Sequence, residues 1–261
     1  IDNQNLYAEF YMVNNSITGK KKIIPSVHVL GTICFLYTLK QKNEYTSIIQ
    51  IANEILKKLG KVEDSFLRKS YTILVEEFLI FANSRKGNLE EARVRGLKLL
   101  KAIKGKSFEL RKLNVYELLA QTYITEDYAK GLFYLEKALD IASTGAFKKQ
   151  EMILTSLKCT HDFIKIYNND FSNPLFLIDR EEEAHFLSRQ KNEYQKSQAI
   201  KILDELLLEG RPMDSYQKYC RSLATADRGL MEEAIRTAEL EDEPRFVEMF
   251  QLCLDNWNII T

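Results

Sequence analysis

The sequence predicts an all-α fold, an irregular right-handed superhelix of stacked tetratricopeptide-like helix hairpins. Three observations predict it. Apolar residues recur at helical spacing along nearly the whole chain, strand-like alternation is nowhere sustained, and one pattern of small and bulky residues returns several times. A chain of 261 residues fills one large domain or two small ones, but a repeat array escapes that ceiling because each unit needs only its neighbours. Apolar residues make up 45% and charged residues 28%, with Gly and Pro scarce, so little of the chain is given to breaking helices or to disorder.

The repeat consists of two adjacent small or apolar residues on a first helix, then a small residue and two bulkier ones on a second. Leu79 and Ile80 are followed by Ala92, Gly96 and Leu99, with Gly87-Asn88-Leu89-Glu90-Glu91 as the turn between them. Leu119, Ala120 and Tyr123 precede Gly131, Leu135, Ala138 and Leu139; Phe186 and Leu187 precede Ala199, Leu203 and Leu206. A weaker copy runs from Phe35 and Leu36 to Ile48, Ala52 and Ile55, and a degenerate one carries Gly229, Ala234 and Ala238. The anchors 48, 92, 131, 199 and 234 are 44, 39, 68 and 35 apart, so a unit of about 34 residues is stretched by insertions. Small anchors let the second helix approach the first, while Leu135 and Leu203 fill the space beside them.

Helices are expected over 3–14, 26–41, 44–60, 63–85, 89–104, 107–124, 126–143, 147–168, 179–191, 194–209, 213–227, 229–239 and 243–259. The clearest loop, 168–177, falls where a second helix is due, which predicts a bend in the superhelix. Pro212 and Pro244 stand near helix starts, where a missing N–H costs nothing.

The 37 basic residues are balanced by 37 acidic ones. A module that grips nucleic acid by its phosphates carries a basic excess, and the run Gly19-Lys20-Lys21-Lys22 reads more simply as a solvated turn. Cys34, Cys159, Cys220 and Cys253 are 125, 61 and 33 residues apart with no CxxC pair, and His161 near Cys159 has no second pair to complete a metal site. They are expected to be small apolar residues of a reducing, cytoplasmic compartment. No stretch reaches the roughly 20 apolar residues of a membrane span; the most apolar, 28–39, reads as a core helix. The chain opens Ile1-Asp2-Asn3-Gln4 without Met or a signal peptide, so a fragment lacking its N-terminal part is expected.

No phosphate-binding loop, HExxH, GxSxG or paired-Cys site occurs, and no enzyme activity, cofactor or metal is expected. The runs Glu181-Glu182-Glu183 and Glu241-Asp242-Glu243 fit solvated helix ends, and His28, His161 and His185, far apart in sequence, fit structural roles.

In hairpin arrays the first helices line the concave side. With the paired anchors as register, Leu36 assigns Ile33, Tyr37 and Gln41 to that side, and Ile80 assigns Glu77, Phe81, Ser84 and Arg85. Ala120 assigns Asn114, Glu117 and Gln121; Leu187 assigns Glu181, Ser188 and Asn192; the last unit contributes Tyr216 and Tyr219. Amides such as Asn114, Gln121 and Asn192 both donate and accept, so they suit the peptide bonds of an extended ligand, and Arg85 suits a carboxylate.

The patch Glu181-Glu182-Glu183-Ala184-His185-Phe186, with Ser197-Gln198-Ala199, Leu203-Asp204, Phe66-Leu67-Arg68, Tyr71 and Leu89-Glu90-Glu91, resembles the arbitrium peptide receptors of temperate phages. These are a branch of the Gram-positive peptide-pheromone receptors that include the Rap and PlcR-like proteins. The resemblance implies an N-terminal helix-turn-helix domain ahead of the repeats, outside this fragment, which makes 1–261 the sensor half. It implies a short secreted peptide as ligand, about five to seven residues long, whose capture switches off DNA binding and shifts lysis toward lysogeny. By the same resemblance Arg111 holds the peptide and Glu243, with Asp242 beside it, faces the peptide's arginine. Two Asn positions of the family fall on Phe81 and Arg85, a change of chemistry that alters which peptide would fit. The alternative is a tetratricopeptide-type scaffold or Rap-like regulator that binds a folded partner. Phe246, Phe250, Leu254 and Trp257 recur at helical spacing and are expected to cap the last unit in preference to forming the interface of a homodimer.

Overall fold

The structure, a computed structural model, describes residues 25–210 and 212–260. The expected helix over 3–14 and the basic run at 19–22 lie outside the described residues. Among the described residues the regular elements are helices: α1 (Pro25–Gln41), α2 (Tyr45–Lys58), α3 (Ser65–Arg85), α4 (Leu89–Ala102), α5 (Glu109–Thr122), α6 (Tyr128–Thr144), α7 (Gln150–Tyr167), α8 (Arg180–Ser188), α9 (Glu193–Leu208), α10 (Ser215–Thr225), α11 (Arg228–Leu240), α12 (Pro244–Asp255) and the short α13 (Trp257–Ile260). Acids and amides start several of them: the side chains of Asp64, Asp127, Asp179, Asn192, Asp214 and Asp227 accept from first-turn N–H groups that have no partner within the helix.

Each helix packs on the next, and first helices also pack on first helices: α1 on α3, α3 on α5, α5 on α7, α8 on α10 and α10 on α12. This is the neighbour pattern of a solenoid of hairpins. The hairpin α3–α4 shows how the sequence makes it. Gly87 turns the chain at φ +78°, a conformation that a Cβ disfavours, and Asn88 N–H returns to the Asn83 carbonyl. The anchors Leu79, Ile80, Ala92, Gly96 and Leu99 are all buried, as the repeat requires. Three apolar clusters follow the chain, one within α1–α3, one between α3, α4 and α5, and the largest running from α5 to α13.

The expected loop is present. After α7 the chain makes no second helix; residues 168–179 cross as a loop and α8 packs directly on α7. Buried polar groups hold that loop. The Asp162 carboxylate accepts from Phe176 N–H and Leu177 N–H, and Lys165 Nζ donates to the Ser172 carbonyl and hydroxyl. Arg189 Nη2 donates to the Tyr167 carbonyl and to Asn169. Helix α8 ends at Ser188, three residues before the expected end, because Arg189 is drawn back over α7.

The array also closes on itself. Helix α12 contacts α3, although more than 150 residues separate the contacting side chains. Tyr45 Oη donates to Glu243 Oε1 at 2.6 Å, Arg85 Nη1 reaches Glu243 Oε2 at 3.4 Å, and Lys86 pairs with Asp242 at 3.1 Å. The expectation that 241–243 is a solvated helix end therefore fails at Glu243, which is buried at the seam; Asp242 alone stays exposed. Phe250 and Trp257 are buried as a cap would be, whereas Phe246 faces the hollow described below.

Close packing at the small anchors is directly testable. A Cβ on Gly96 would stand 2.8 Å from Leu119 Cδ2 and 3.0 Å from its Cγ, and Leu119 is fully buried. Gly96→Val is expected to destabilise the fold by about 1–3 kcal/mol in chemical denaturation, the usual cost of overpacking.

Candidate functional site

The concave side is a hollow in two chambers. The larger, 340 Å³, lies in the size range of ligand pockets. Ser84 and Arg85 of α3 and Gln121 of α5 form one side; Thr160 and Phe163 of α7, Glu181 and Glu182 of α8, and Tyr216 of α10 form another; Arg245, Phe246 and Met249 of α12 complete it. The smaller chamber, 200 Å³, is bounded by Tyr37 and Lys40 of α1, Glu77 and Phe81 of α3, and Arg111, Asn114 and Glu117 of α5. The two share the same faces of α3 and α5, one turn apart. Between them Arg85 lies over the Phe81 ring at 5.6 Å, and Thr160 donates to Glu117 at 3.2 Å.

The register rule thus brings together Tyr37, Glu77, Phe81, Ser84, Arg85, Asn114, Glu117, Gln121, Glu181 and Tyr216, from five helices, on one lining, and Arg111, given by resemblance, joins them. It fails at Asn192, Ser188 and Tyr219. Asn192 lies beyond the end of α8 and its side chain caps α9, accepting from Tyr194 N–H and Gln195 N–H. Ser188 is buried and its hydroxyl donates to the His185 carbonyl. Tyr219 is fully buried against Phe250, with ring centroids 4.5 Å apart. The first follows from the early end of α8, the third from projecting a degenerate unit. Ile33 is likewise core rather than lining. Asp242 and Glu243, given by resemblance, serve the seam between α12 and α3.

Lys40, Thr160, Phe163, Glu182, Asp214, Arg245, Phe246 and Met249 escaped the register rule. Helix α7 has no second helix to supply an anchor, and α12 reads from sequence as a cap. The Glu181-Glu182-Glu183 run is also misread as solvated: Glu181 and Glu182 point into the hollow, and Glu182 is buried.

The electrostatics are those of charges held away from water. Burial raises Glu77 to about 7 against the opposing pull of Arg111, 3.1 Å away, and Asn114. Burial raises Glu182 to about 8, with Asp179, Asp162 and Glu181 adding to it and the Tyr216 hydrogen bond opposing it. Lys40, over the Phe81 ring at 4.3 Å, is lowered by burial and by Arg85. Cys159, on the lining, is raised by burial and then by Asp179, Glu182 and Asp162, which is opposite to the activation of a nucleophile. Among the described residues no cluster of His, Cys, Asp and Glu could hold a metal, and no helix is long and apolar enough to cross a membrane. Cys220 and Cys253 are buried as expected; Cys34 is exposed.

A family model described as AimR transcriptional regulator-like matches residues 3–254. An uncharacterized protein, pXO2-35 of Bacillus anthracis, is 26% identical over 229 residues, which cover 85% of this chain and 82% of that protein. Two solved structures share the fold. The phAimR-ligand structure superposes with a TM-score of 0.73 at 17% identity, over 97% of this chain and 76% of that one. Selenomethionine phAimR gives 0.70 at 16% identity, over 92% and 63%.

Because Glu77 and Glu182 hold protons more tightly folded than unfolded, they stabilise the fold below about pH 4.5 and lose that contribution as pH rises through about 7 and 8. The denaturation midpoint is expected to fall between pH 5 and pH 9, and Glu182→Gln with Glu77→Gln to flatten that slope.

Proposed function

The chain belongs to the AimR transcriptional regulator-like family, and on that premise we propose that the repeat array is the sensor domain of a transcriptional regulator that captures a short peptide in its hollow. The observation that carries this reading is the lining itself. Groups that meet peptide N–H and C=O, namely Asn114, Gln121, Ser84 and Thr160, alternate with the rings of Tyr37, Phe81, Phe163, Tyr216 and Phe246 on successive first helices. An extended peptide of about five to seven residues runs from the Lys40 and Arg111 chamber, which receives a carboxylate, past Arg85 to the acidic end at Glu181. In this reading the ligand bridges α3 and α5 to α8, α10 and α12, so its binding energy favours the closed array.

The same reading assigns DNA contact to a helix-turn-helix domain ahead of the repeats, sets the protein in the bacterial cytoplasm as a homodimer, and makes the peptide the signal that shifts lysis toward lysogeny. Family membership supports these assignments.

Calorimetry against a synthetic penta- and hexapeptide library is the test. Saturable binding is expected, with Arg111→Ala and Gln121→Ala each weakening it by about tenfold, or roughly 1.4 kcal/mol. A library with no saturating member, together with a folded partner that binds independently of these residues, would replace the peptide receptor by the scaffold reading.

A further inference from the structure

The smaller chamber encloses two cations and two carboxyl groups: Lys40 from α1 and Arg111 from α5, Glu77 from α3 and Glu117 from α5. Glu77 Oε2 accepts from Arg111 Nη1 at 3.1 Å, while Glu77 Oε1 is buried without a hydrogen-bond partner. Glu117 is better held, because Thr160 of α7 donates to its Oε1 at 3.2 Å. The guanidinium best suited to an incoming carboxylate is therefore already engaged, and the acid that engages it is the less well satisfied of the two. Arg111 keeps 31% of its side chain exposed against 11% for Glu77, so it is the member of the pair able to turn toward a ligand.

A carboxylate entering this space sets three anions against two cations. Charge held away from water is relieved most readily by a proton, and the acid that has one bare oxygen and loses its ion pair is the one that takes it. Taking the peptide reading for the occupant, we propose that Glu77 is a proton gate on Arg111: a ligand carboxylate draws the guanidinium away from Glu77, and Glu77 takes up a proton from water as the ligand enters. The groups that face Glu77 are Tyr37 and Lys40 from α1 and Arg111, Asn114 and Glu117 from α5. The other helices on α3 keep their charges elsewhere. Tyr45 of α2 and Glu243 of α12 hold each other, with Arg85 on the same carboxylate, and Arg95 of α4 pairs with Glu76 at 2.9 Å. When the chamber is empty, burial raises Glu77 to about 7 against Arg111, Asn114 and Lys40, which lower it. Losing Arg111 and gaining the ligand's charge both act in the direction of burial, so the proton is held more tightly after binding. Affinity is then full below about pH 7, where the empty chamber already carries the proton, and falls as pH rises above it. Burial raises Glu117 too, against Thr160 and Lys40, so the two acids must be told apart by substitution.

N-acetylglycine, a carboxylate beside one peptide bond, and N-acetylglycinamide, its neutral analogue, are the probes. The acid is expected to shift the ring resonances of Tyr37 and Phe81 saturably, binding about tenfold more tightly at pH 6 than at pH 8.5, and the amide is not. Glu77→Gln should bind the acid at pH 8.5 as the wild type does at pH 6, whereas Glu117→Gln should keep the pH dependence. Should Glu77→Gln fail to fold, the side-chain carboxyl carbon of Glu77 in the wild-type protein gives the answer: its titration midpoint is expected to move up when N-acetylglycine is added. The gate is overturned by binding that is equal at the two pH values, by weaker binding in Glu77→Gln, or by a pH dependence that only Glu117→Gln removes. A Glu77 midpoint that stays in place, or equal shifts from the two probes, or none, overturns it as well. Hexapeptides form the second arm. Peptides that bind wild type and Glu77→Gln alike at pH 8.5 overturn the gate and leave the peptide reading standing, whereas N-acetylglycine binding with the expected pH course and no saturating peptide does the reverse.

Discussion

The carboxylate of Glu243, buried between Tyr45 and Arg85, joins the two ends of the array, and the shape of the hollow depends on it. A solenoid held only by nearest-neighbour contacts leaves its concave side open. Here the first helix of the last unit crosses back to α3, and with it come Arg245, Phe246 and Met249, which turn an open groove into a walled chamber. The seam is polar where it is buried, so it holds only while every partner is in place: a carboxylate left without its donors inside the protein costs several kcal/mol. A closure of this kind is well suited to respond to what occupies the chamber, because Arg85 serves the seam and the lining together.

The replaced second helix after α7 is the other constraint. Two consecutive first helices, α7 and α8, touch directly, which swings the first turn of α8 inward and aims Glu181 and Glu182 across the hollow toward Ser84 and Arg85. The loop that makes this possible carries Asp162, Lys165 and Arg189 inside, each hydrogen-bonded to backbone groups of the loop or its flanks. Without those bonds the loop's own backbone would be buried unsatisfied. Structure and candidate function thus meet in one segment: the irregularity that breaks the repeat supplies the acidic end of the lining.

How much of this the sequence discloses depends on the range of the interaction concerned. Helix spacing is local, and the hairpins are legible because Ala92, Gly96, Gly131 and Ala199 mark close approaches, as is the loop at 168–177 from its Asn, Asp and Pro residues. The inward register is also local, so Glu77, Phe81, Arg85, Asn114 and Gln121 fall where the anchor rule puts them. The rule breaks where a tertiary contact resets the local structure. Arg189 ends α8 early and leaves Asn192 as the cap of α9, and Tyr219 is drawn into the stack with Phe250. Acid runs at helix starts look alike in sequence whether they face water or a chamber, so nothing local distinguishes Glu182 or Glu243 from Glu183 or Asp242. The return of α12 to α3 leaves no periodic trace at all.

The closure is tested most directly by hydrogen exchange on the wild-type protein and on Glu243→Ala. The account predicts that amides of α12 and of the α2 turn bearing Tyr45, 198 residues away in sequence, lose protection together while α5 and α6 keep theirs. Loss confined to the first turn of α12, with α2 and α3 unchanged, would contradict it.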